Sequence, residues 1–336
     1  MDRKEFYARL ESNTLPSVLL FEGEDAWLMQ AALNTLRKAL LPEGLEEINE
    51  TRLETPETDA LIAAVETLPF MSDRRLVLIR DYPALVGRAE PDDRLLTYLP
   101  RVPETTVLLF LCAQKADARK KLYTLIKKSG GIVDFSSMKG RELTTFVTNA
   151  FRERGKECDE RTAEHLIFLC GSDAARLLTE IEKIASLRSG EKDVQPQDVD
   201  ALAVPSVESK VFQMIDAVVA GQDARAFSLL QAQLLSGESR VGILSMLLRQ
   251  FRLMQHIKIM QYEKKRESEI LAALGMSSYI GGQYIRQASS WSNQQVRLAV
   301  HLCLNTDYQI KSGQLNQEGA LESVMLQLLY LHKEKP

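Results

Sequence analysis

The sequence is poor in the two residues that most often interrupt helices and strands. Glycine and proline number 17 and 11, about 8% of the 336 residues, where an average soluble protein has about 12%. Aromatic residues are also scarce, at 7%. These shortages exclude collagen-like, mucin-like and sandwich compositions. Because 45% of the residues are apolar and 26% are charged, the chain can build a sizeable core, and its length predicts two or three helix-rich domains.

No part of the sequence is long and apolar enough to predict a membrane span. The longest apolar run extends from Val107 to Ala113, whereas a span needs about 20 residues. The N-terminal residues are charged and no apolar stretch follows them, so we expect no secretory signal. The four cysteines form no CxxC pair: Cys112, Cys158, Cys170 and Cys303. These features predict a cytoplasmic protein with reduced thiols and no membrane partner.

The net charge of −4 argues against a protein that binds nucleic acid over its whole surface. Basic residues are nevertheless concentrated in one short segment: Lys115, Arg119, Lys120, Lys121, Lys127 and Lys128. Arg249 and Arg252 lie on a long predicted helix further along the chain. A solvated helix face is the ordinary interpretation of such residues, and contact with DNA phosphates inside an assembly is the alternative.

The first 138 residues alternate between two apolar periodicities. Short apolar runs predict five strands: Ser17–Phe21, a weaker one near Ile48–Leu53, Leu76–Arg80, Thr106–Cys112 and Gly131–Phe135. Helical spacing lies between them: Asp25–Leu40, Thr58–Thr67, Asp92–Leu99 and Ala116–Lys128. This alternation is typical of βαβ units, so we predict an α/β domain with a five-stranded, mostly parallel sheet.

The strand pattern stops after Met138. Residues 139–205 predict a small bundle of about four helices, and Pro205-Ser206 is a plausible boundary. Residues 206–336 again show only helical stripes, the longest between Val241 and Gln261. We therefore predict an α/β plus all-α protein with three regions, at residues 1–138, 139–205 and 206–336.

A nucleotide-binding α/β domain holds phosphates at the turn after its first strand. A phosphate loop reads GxxxxGK[ST], because backbone N–H groups, a lysine and a hydroxyl together bind the phosphates and magnesium. If Gly23 is the first glycine, Leu28, Met29 and Gln30 occupy the other three motif positions. The acidic residues around Gly23 would repel a triphosphate. The sequence therefore predicts a structural turn and no cofactor.

No other catalytic pattern is present in the sequence. The four histidines are isolated, without a carboxylate or cysteine at metal-ligand spacing, and no GxSxG motif occurs. Asp81 follows the third predicted strand, where a magnesium ligand could lie, but without a phosphate loop we interpret it as an ordinary loop residue. We predict no catalytic and no metal-binding residue.

One apolar segment has two possible interpretations. Leu68, Pro69, Phe70 and Met71 lie between a predicted helix and the next strand. Periodicity by itself favours a helix that ends at Pro69, with Leu68 and Phe70 packed into the core. The alternative is an exposed apolar anchor that inserts into a hydrophobic pocket of a partner.

Several fragments, in this order and spacing, resemble the delta subunits of bacterial DNA polymerase III clamp loaders. In the first region they are Val18–Asp25, Leu68–Leu78 and Ala118–Tyr123. In the second and third regions they are Gly171–Asp173, Leu178–Ile184, Ser206–Ala217 and Leu248–Arg252. The resemblance implies an AAA+-like domain with a decayed phosphate loop, a helical lid domain and a helical collar domain that joins a five-subunit ring.

The resemblance also implies a function in DNA replication. Such a subunit belongs to a DNA-directed DNA polymerase (a nucleotidyltransferase, hence a transferase) but needs no catalytic activity of its own. It binds the sliding clamp, opens this ring for loading onto primed DNA, and joins ATP-binding sister subunits and a delta-prime-like subunit through the collar. The implied DNA-facing residues are Lys115, Arg119, Lys120, Lys121, Arg249 and Arg252.

The hydrophobic plug through which this family binds the clamp corresponds here to Leu68, Pro69, Phe70 and Met71. This correspondence reverses the preference for core packing. Some members have two bulky side chains where this chain has Pro69-Phe70, so Phe70 is expected to contribute most. The two alternatives are an active P-loop ATPase, which requires a lysine at position 29 or a displaced loop, and a stand-alone helical nucleic-acid-binding protein, which requires tight, salt-dependent DNA binding.

Overall fold

The computed structural model describes residues 1–188 and 190–333. Ser189, in the predicted second region, and residues 334–336, in the predicted third region, lie outside the described residues. The chain divides into two compact units, Met1–Ser137 and Met138–Pro336. The division into three regions stays a prediction.

The first unit contains a five-stranded sheet. Its strands are β1 (Val18–Glu22), β2 (Glu50–Glu54), β3 (Arg75–Arg80), β4 (Thr106–Cys112) and β5 (Ile132–Asp134). All neighbouring strands are parallel, in the order β2-β3-β4-β1-β5. The residues of β1 and β4 are all buried, which explains their continuous apolar runs, because helices cover both faces of a parallel sheet. The predicted five-stranded, mostly parallel sheet is confirmed.

Seven α-helices belong to the described part of this unit. They are α1 (Arg3–Glu11), α2 (Ala26–Leu40), α3 (Glu46–Asn49), α4 (Thr58–Glu66), α5 (Pro83–Val86), α6 (Asp93–Tyr98) and α7 (Lys121–Lys128). Helix α1 was not predicted, because Phe6 is its only buried residue and its apolar periodicity is correspondingly weak. Helix α7 begins later than predicted. The Asp117 carboxylate accepts a hydrogen bond from the Arg119 N–H at 3.0 Å, and such a turn competes with helix.

The second unit is almost entirely helical. Its helices are α8 (Gly140–Arg152), α9 (Glu160–Cys170), α10 (Ala174–Leu187), α11 (Pro196–Leu202), α12 (Val207–Val219), α13 (Asp223–Leu235), α14 (Arg240–Tyr262), α15 (Glu267–Leu274), α16 (Ser278–Ser289), α17 (Asn293–Lys311) and α18 (Ala320–Lys333). The expectation of helices alone after Met138 is wrong in one detail: strands β6 (Glu157–Cys158) and β7 (Asp193–Val194) pair in parallel. Two-residue strands are too short to show an alternating pattern.

The long helix α14 packs into the core of the all-α region. Phe251, on α14, contacts the ring of Trp291 edge-on at 5.1 Å between centroids. Nearby, the buried side chains of Gln250 and Gln287 share a hydrogen bond of 2.6 Å, so these two polar groups satisfy each other. Among the described helices, none combines the length and apolar character that crossing a bilayer requires.

Candidate functional site

The loop between α4 and β3 exposes three large apolar side chains. We call residues 67–74 the apolar loop. Leu68, Phe70 and Met71 are 76%, 52% and 78% exposed, respectively, and Pro69 is partly buried. Core packing of Leu68 and Phe70, which periodicity alone favoured, is therefore not what the structure shows. Adjacent exposed side chains of this size are characteristic of sites that bind another protein.

A buried asparagine holds the backbone of the apolar loop at Phe70. Asn49 ends α3 and is fully buried. The Phe70 N–H donates a hydrogen bond to Asn49 Oδ1 at 2.7 Å, and Asn49 Nδ2 donates to the Phe70 carbonyl at 3.0 Å. Both main-chain polar groups of Phe70 are thus paired, so its backbone is anchored while its ring faces outward.

Two further polar side chains hold the apolar loop, one within it and one directly after it. The Ser72 hydroxyl is within hydrogen-bond distance of the Leu40 carbonyl, at 3.1 Å, and of the Arg74 carbonyl, at 2.9 Å. The buried Arg75 guanidinium donates to Thr51 Oγ1 at 2.6 Å and to the Leu68 carbonyl at 3.5 Å. Burial lowers the pKa of Arg75. These contacts connect the loop to the edge of the sheet.

Met71 adopts a left-handed backbone conformation, with φ +49°. A residue with a side chain seldom adopts this conformation, which costs of order 1–3 kcal/mol and persists only where the surroundings impose it. Because the flanking residues Phe70 and Ser72 are held by the hydrogen bonds described above, the surroundings do impose it here. The loop therefore presents its apolar side chains from a defined backbone.

Sequence reasoning did not identify the residues that hold this loop. Asn49 lies 21 positions before Phe70, and a lone asparagine ahead of a weak strand carries no pattern that points to a distant loop. Arg75 begins the observed strand β3 and directly precedes the predicted strand Leu76–Arg80, so a charged residue beside a buried apolar run was the available signal.

The turn after β1 does not fit a nucleotide. Only three residues separate β1 from α2, and the Asp25 carboxylate accepts a hydrogen bond from the Leu28 N–H at 3.0 Å, which places a negative charge at the helix N-terminus. Gly23 has φ +146°, and a Cβ there would lie 2.2 Å from the carbonyl carbon of Phe135. Met29 is buried at the position where a phosphate-binding lysine would lie. The AAA+-like fold that the resemblance implies thus has no phosphate site at this turn.

Two acidic residues at the ends of the strands have structural partners. Glu22 is buried, and its Oε2 accepts a hydrogen bond from the Ala116 N–H at 2.9 Å. Asp81 has φ +44°, and its Oδ1 accepts a hydrogen bond from the Ala113 N–H at 3.1 Å. These bonds join neighbouring strand ends, which supports the interpretation of Asp81 as an ordinary loop residue. No cluster of three potential metal ligands occurs within residues 1–188 and 190–333.

Most of the candidate DNA-facing residues form internal ion pairs. The pairs are Lys115 with Asp134 at 2.8 Å, Arg119 with Asp117 at 2.8 Å, Lys120 with Glu90 at 2.8 Å and Arg249 with Glu208 at 3.2 Å. Hydrogen bonds from Arg119 lower the pKa of Asp117 to about 2, so that carboxylate stays ionised. Lys121 and Arg252 are exposed. The basic segment is therefore less positive than the sequence suggested.

The arrangement defines a class of protein before any relative is considered. A five-stranded parallel sheet in the order β2-β3-β4-β1-β5, with α2 directly after β1, is an AAA+-like arrangement. Because Asp25 caps the helix at the turn after β1 and Phe135 packs against Gly23, this domain has no phosphate loop there. With the helical second unit after it in the chain, the fold class is that of an AAA+-like α/β domain followed by helical regions.

Comparisons with known proteins identify the family. The family described as DNA polymerase III, delta subunit, matches residues 19–136, and that described as DNA polymerase III delta subunit, C-terminal domain, matches residues 208–328. The DNA polymerase III subunit delta of Bacillus subtilis is 25% identical over 97% of this chain and 96% of its own length. That of Escherichia coli is 22% identical over 95% and 93%. The chain belongs to the delta-subunit family of the DNA polymerase III clamp loader.

A solved structure shares this fold. The Bacillus subtilis DNA clamp loader delta protein (YqeN) superposes with a TM-score of 0.63 and 24% sequence identity, covering 97% of this chain and 99% of that one. The predicted fold class, an AAA+-like α/β domain followed by helical regions, is confirmed.

Proposed function

We propose that this chain binds the sliding clamp through Leu68, Pro69, Phe70 and Met71 and opens the ring for loading onto primed DNA. The observation that carries the proposal is the apolar loop itself. Its large side chains are exposed while its backbone is hydrogen-bonded to buried groups. This combination suits insertion into a pocket, because little conformational freedom remains to be lost when the loop binds.

Opening the clamp requires that the loop prefer the open ring. A ligand shifts a conformational equilibrium only by its differential affinity for the two states. Moving the ring from 1:99 to 99:1 in favour of the open state requires about 5.5 kcal/mol of preference. A buried aromatic or aliphatic anchor contributes roughly 2–4 kcal/mol of binding. Two such anchors, Phe70 and Leu68, would together contribute roughly 4–8 kcal/mol, a range that includes the required preference if they engage the open ring only.

The same proposal assigns the other partners. Residues 206–336 form the collar that joins the ATP-binding subunits and a delta-prime-like subunit, and ATP acts through those sister subunits. The collar region has apolar side chains available for such contacts, since Leu298, Leu304 and Tyr308 are exposed on α17.

Primed DNA is contacted only within the assembled complex. Lys115, Arg119, Lys120, Lys121, Arg249 and Arg252 remain the proposed DNA-facing residues. Because four of these six already have acidic partners, they release fewer counterions on binding DNA, and the isolated chain should bind DNA weakly.

The experiment compares clamp binding by the full chain, by Phe70→Ala and by Val86→Ala. Val86 is a matched control, because it is an exposed apolar residue of the same unit outside the apolar loop. Clamp affinity is measured by titration, and ring opening by fluorescence transfer between labels on either side of one clamp interface. We expect Phe70→Ala to weaken both clamp binding and ring opening strongly, and Val86→Ala to leave both unchanged. Equal binding by Phe70→Ala and the wild-type chain would contradict the proposal.

A further inference from the structure

Asn49 has an unusual position relative to the apolar loop. It is fully buried, yet two of the hydrogen bonds of its side chain go to the main chain of Phe70, an exposed residue. Its Nδ2 also donates to the Leu45 carbonyl at 3.2 Å. The side-chain amide thus pairs with the Phe70 backbone as a neighbouring strand would.

We propose that Asn49 is the positioning residue of the clamp-binding loop. The amide has one acceptor and one donor group side by side, which matches the N–H and carbonyl of a single residue. An ionised aspartate would lack the donor, leucine would lack both groups, and serine would have donor and acceptor on a single oxygen that cannot lie opposite both. This inference rests on the proposed function and adds a residue that does not itself contact the clamp.

The physical effect of Asn49 is to order the loop before binding. Without it, the N–H and carbonyl of Phe70 would turn towards water, and the flanking Met71 would leave its unfavourable φ of +49°. A loop that must be ordered on binding gives weaker affinity, since the lost conformational freedom opposes association. Asn49 therefore acts on affinity for the clamp through the conformation of Phe70.

A purely structural role for Asn49 makes a different prediction, so a control that also removes a buried hydrogen bond of the same unit is needed. Thr106 provides one, because it is buried in the same unit and its hydroxyl donates to the Val65 carbonyl at 2.8 Å, outside the apolar loop. Thr106→Val removes a buried hydrogen bond while keeping the shape of the side chain. Asn49→Leu removes the three hydrogen bonds of the proposed positioning residue and replaces its side chain with an apolar one of similar size.

The experiment measures clamp affinity, urea unfolding and hydrogen exchange at the Phe70 amide in the full chain. We expect Asn49→Leu to weaken clamp binding about tenfold and to accelerate exchange at Phe70 at least tenfold. Thr106→Val should also lower stability, but it should keep both the wild-type affinity and the slow exchange at Phe70. In a Phe70→Ala background, Asn49→Leu should weaken binding less than twofold further.

The outcomes separate this inference from the proposed function. If Phe70→Ala weakens binding but folded Asn49→Leu binds as tightly as wild type, Asn49 is not a positioning residue and the loop still binds the clamp. If Phe70→Ala binds as tightly as wild type, the proposed function fails and the inference with it. If Asn49→Leu does not fold, Asn49→Ala replaces it, since water can enter the smaller site, and unchanged affinity in that variant overturns the inference.

Discussion

Replacing Phe70 by alanine should separate clamp binding from stability, and the structure sets the size of both effects. Complete burial of a phenylalanine side chain is worth up to about 3 kcal/mol. Phe70 is 52% exposed and borders solvent, so its removal leaves no closed cavity. We therefore expect Phe70→Ala to lower the free energy of unfolding by about 1 kcal/mol or less. Phe110, which is fully buried in β4, should cost about 3–5 kcal/mol when replaced by alanine.

The effect of Phe70→Ala on affinity should be much larger. If Phe70 fills a pocket of the clamp, its truncation should cost roughly 2–4 kcal/mol of binding free energy. This range corresponds to about a 30- to 1,000-fold rise in the dissociation constant. The loss should appear mainly as faster dissociation, because mutations within an interface usually change that rate most.

The assay combines urea unfolding with a clamp titration on the same preparations. The expected result is a small stability change together with a large affinity change for Phe70→Ala, and a stability loss several times larger for Phe110→Ala. The reasoning is refuted if Phe70→Ala destabilises the chain as much as Phe110→Ala does. It is equally refuted if the affinity of Phe70→Ala for the clamp stays within threefold of wild type.

Three further predictions concern the structure around the site. Gly23→Ala should lower the free energy of unfolding by at least about 2 kcal/mol, because the new Cβ would lie 2.2 Å from a main-chain carbon. Gly44→Ala is the control: no atom lies within 4 Å of its new Cβ, so it should cost only about 1 kcal/mol. A denaturant titration measures both. Burial alone would raise the pKa of Glu50, but hydrogen bonds from Arg37 and Arg52 outweigh it and lower the pKa. Ionised Glu50 therefore stabilises the folded chain above the ordinary pKa of about 4.3, and this contribution is lost as the pH falls through the lowered pKa. Glu50→Gln should cost about 1–2 kcal/mol of unfolding free energy at pH 7, and the difference from wild type should shrink below about pH 4; a pH-independent difference would contradict this. Cys112, Cys170 and Cys303 are buried, and burial raises the pKa of their thiols to about 12. At pH 8 a thiol reagent should therefore modify these three only after unfolding, and their rapid modification in the native chain would contradict the burial seen here.

Much of the α/β unit could be predicted because strands β1, β3 and β4 are almost completely buried. Val18–Phe21 and Val107–Cys112 appear in the sequence as unbroken apolar runs. The missing phosphate loop was also visible, since Leu28, Met29 and Gln30 lack the required side chains. Helix α1 escaped prediction because a mostly exposed helix has little apolar periodicity.

The candidate site depended on information that local sequence does not contain. Periodicity favoured burial of Leu68 and Phe70, because an apolar residue at a helix end usually packs on that helix. Their exposure is decided instead by how α4 meets β3 and by Asn49, 21 positions earlier. Likewise, the charge of Lys120 was visible in the sequence, but its pairing with Glu90 was not.

The sequence by itself determined the order of strands and helices, the loss of the phosphate loop and, through its resemblance, the place of the apolar segment. These features depend on residue type and on spacing between near neighbours. Tertiary structure alone decided that the apolar segment faces outward on an anchored backbone and that most of the candidate cations are paired. The physical reason is that solvent exposure and hydrogen-bond pairing depend on which distant segments pack together, and residue type and local spacing do not specify that packing.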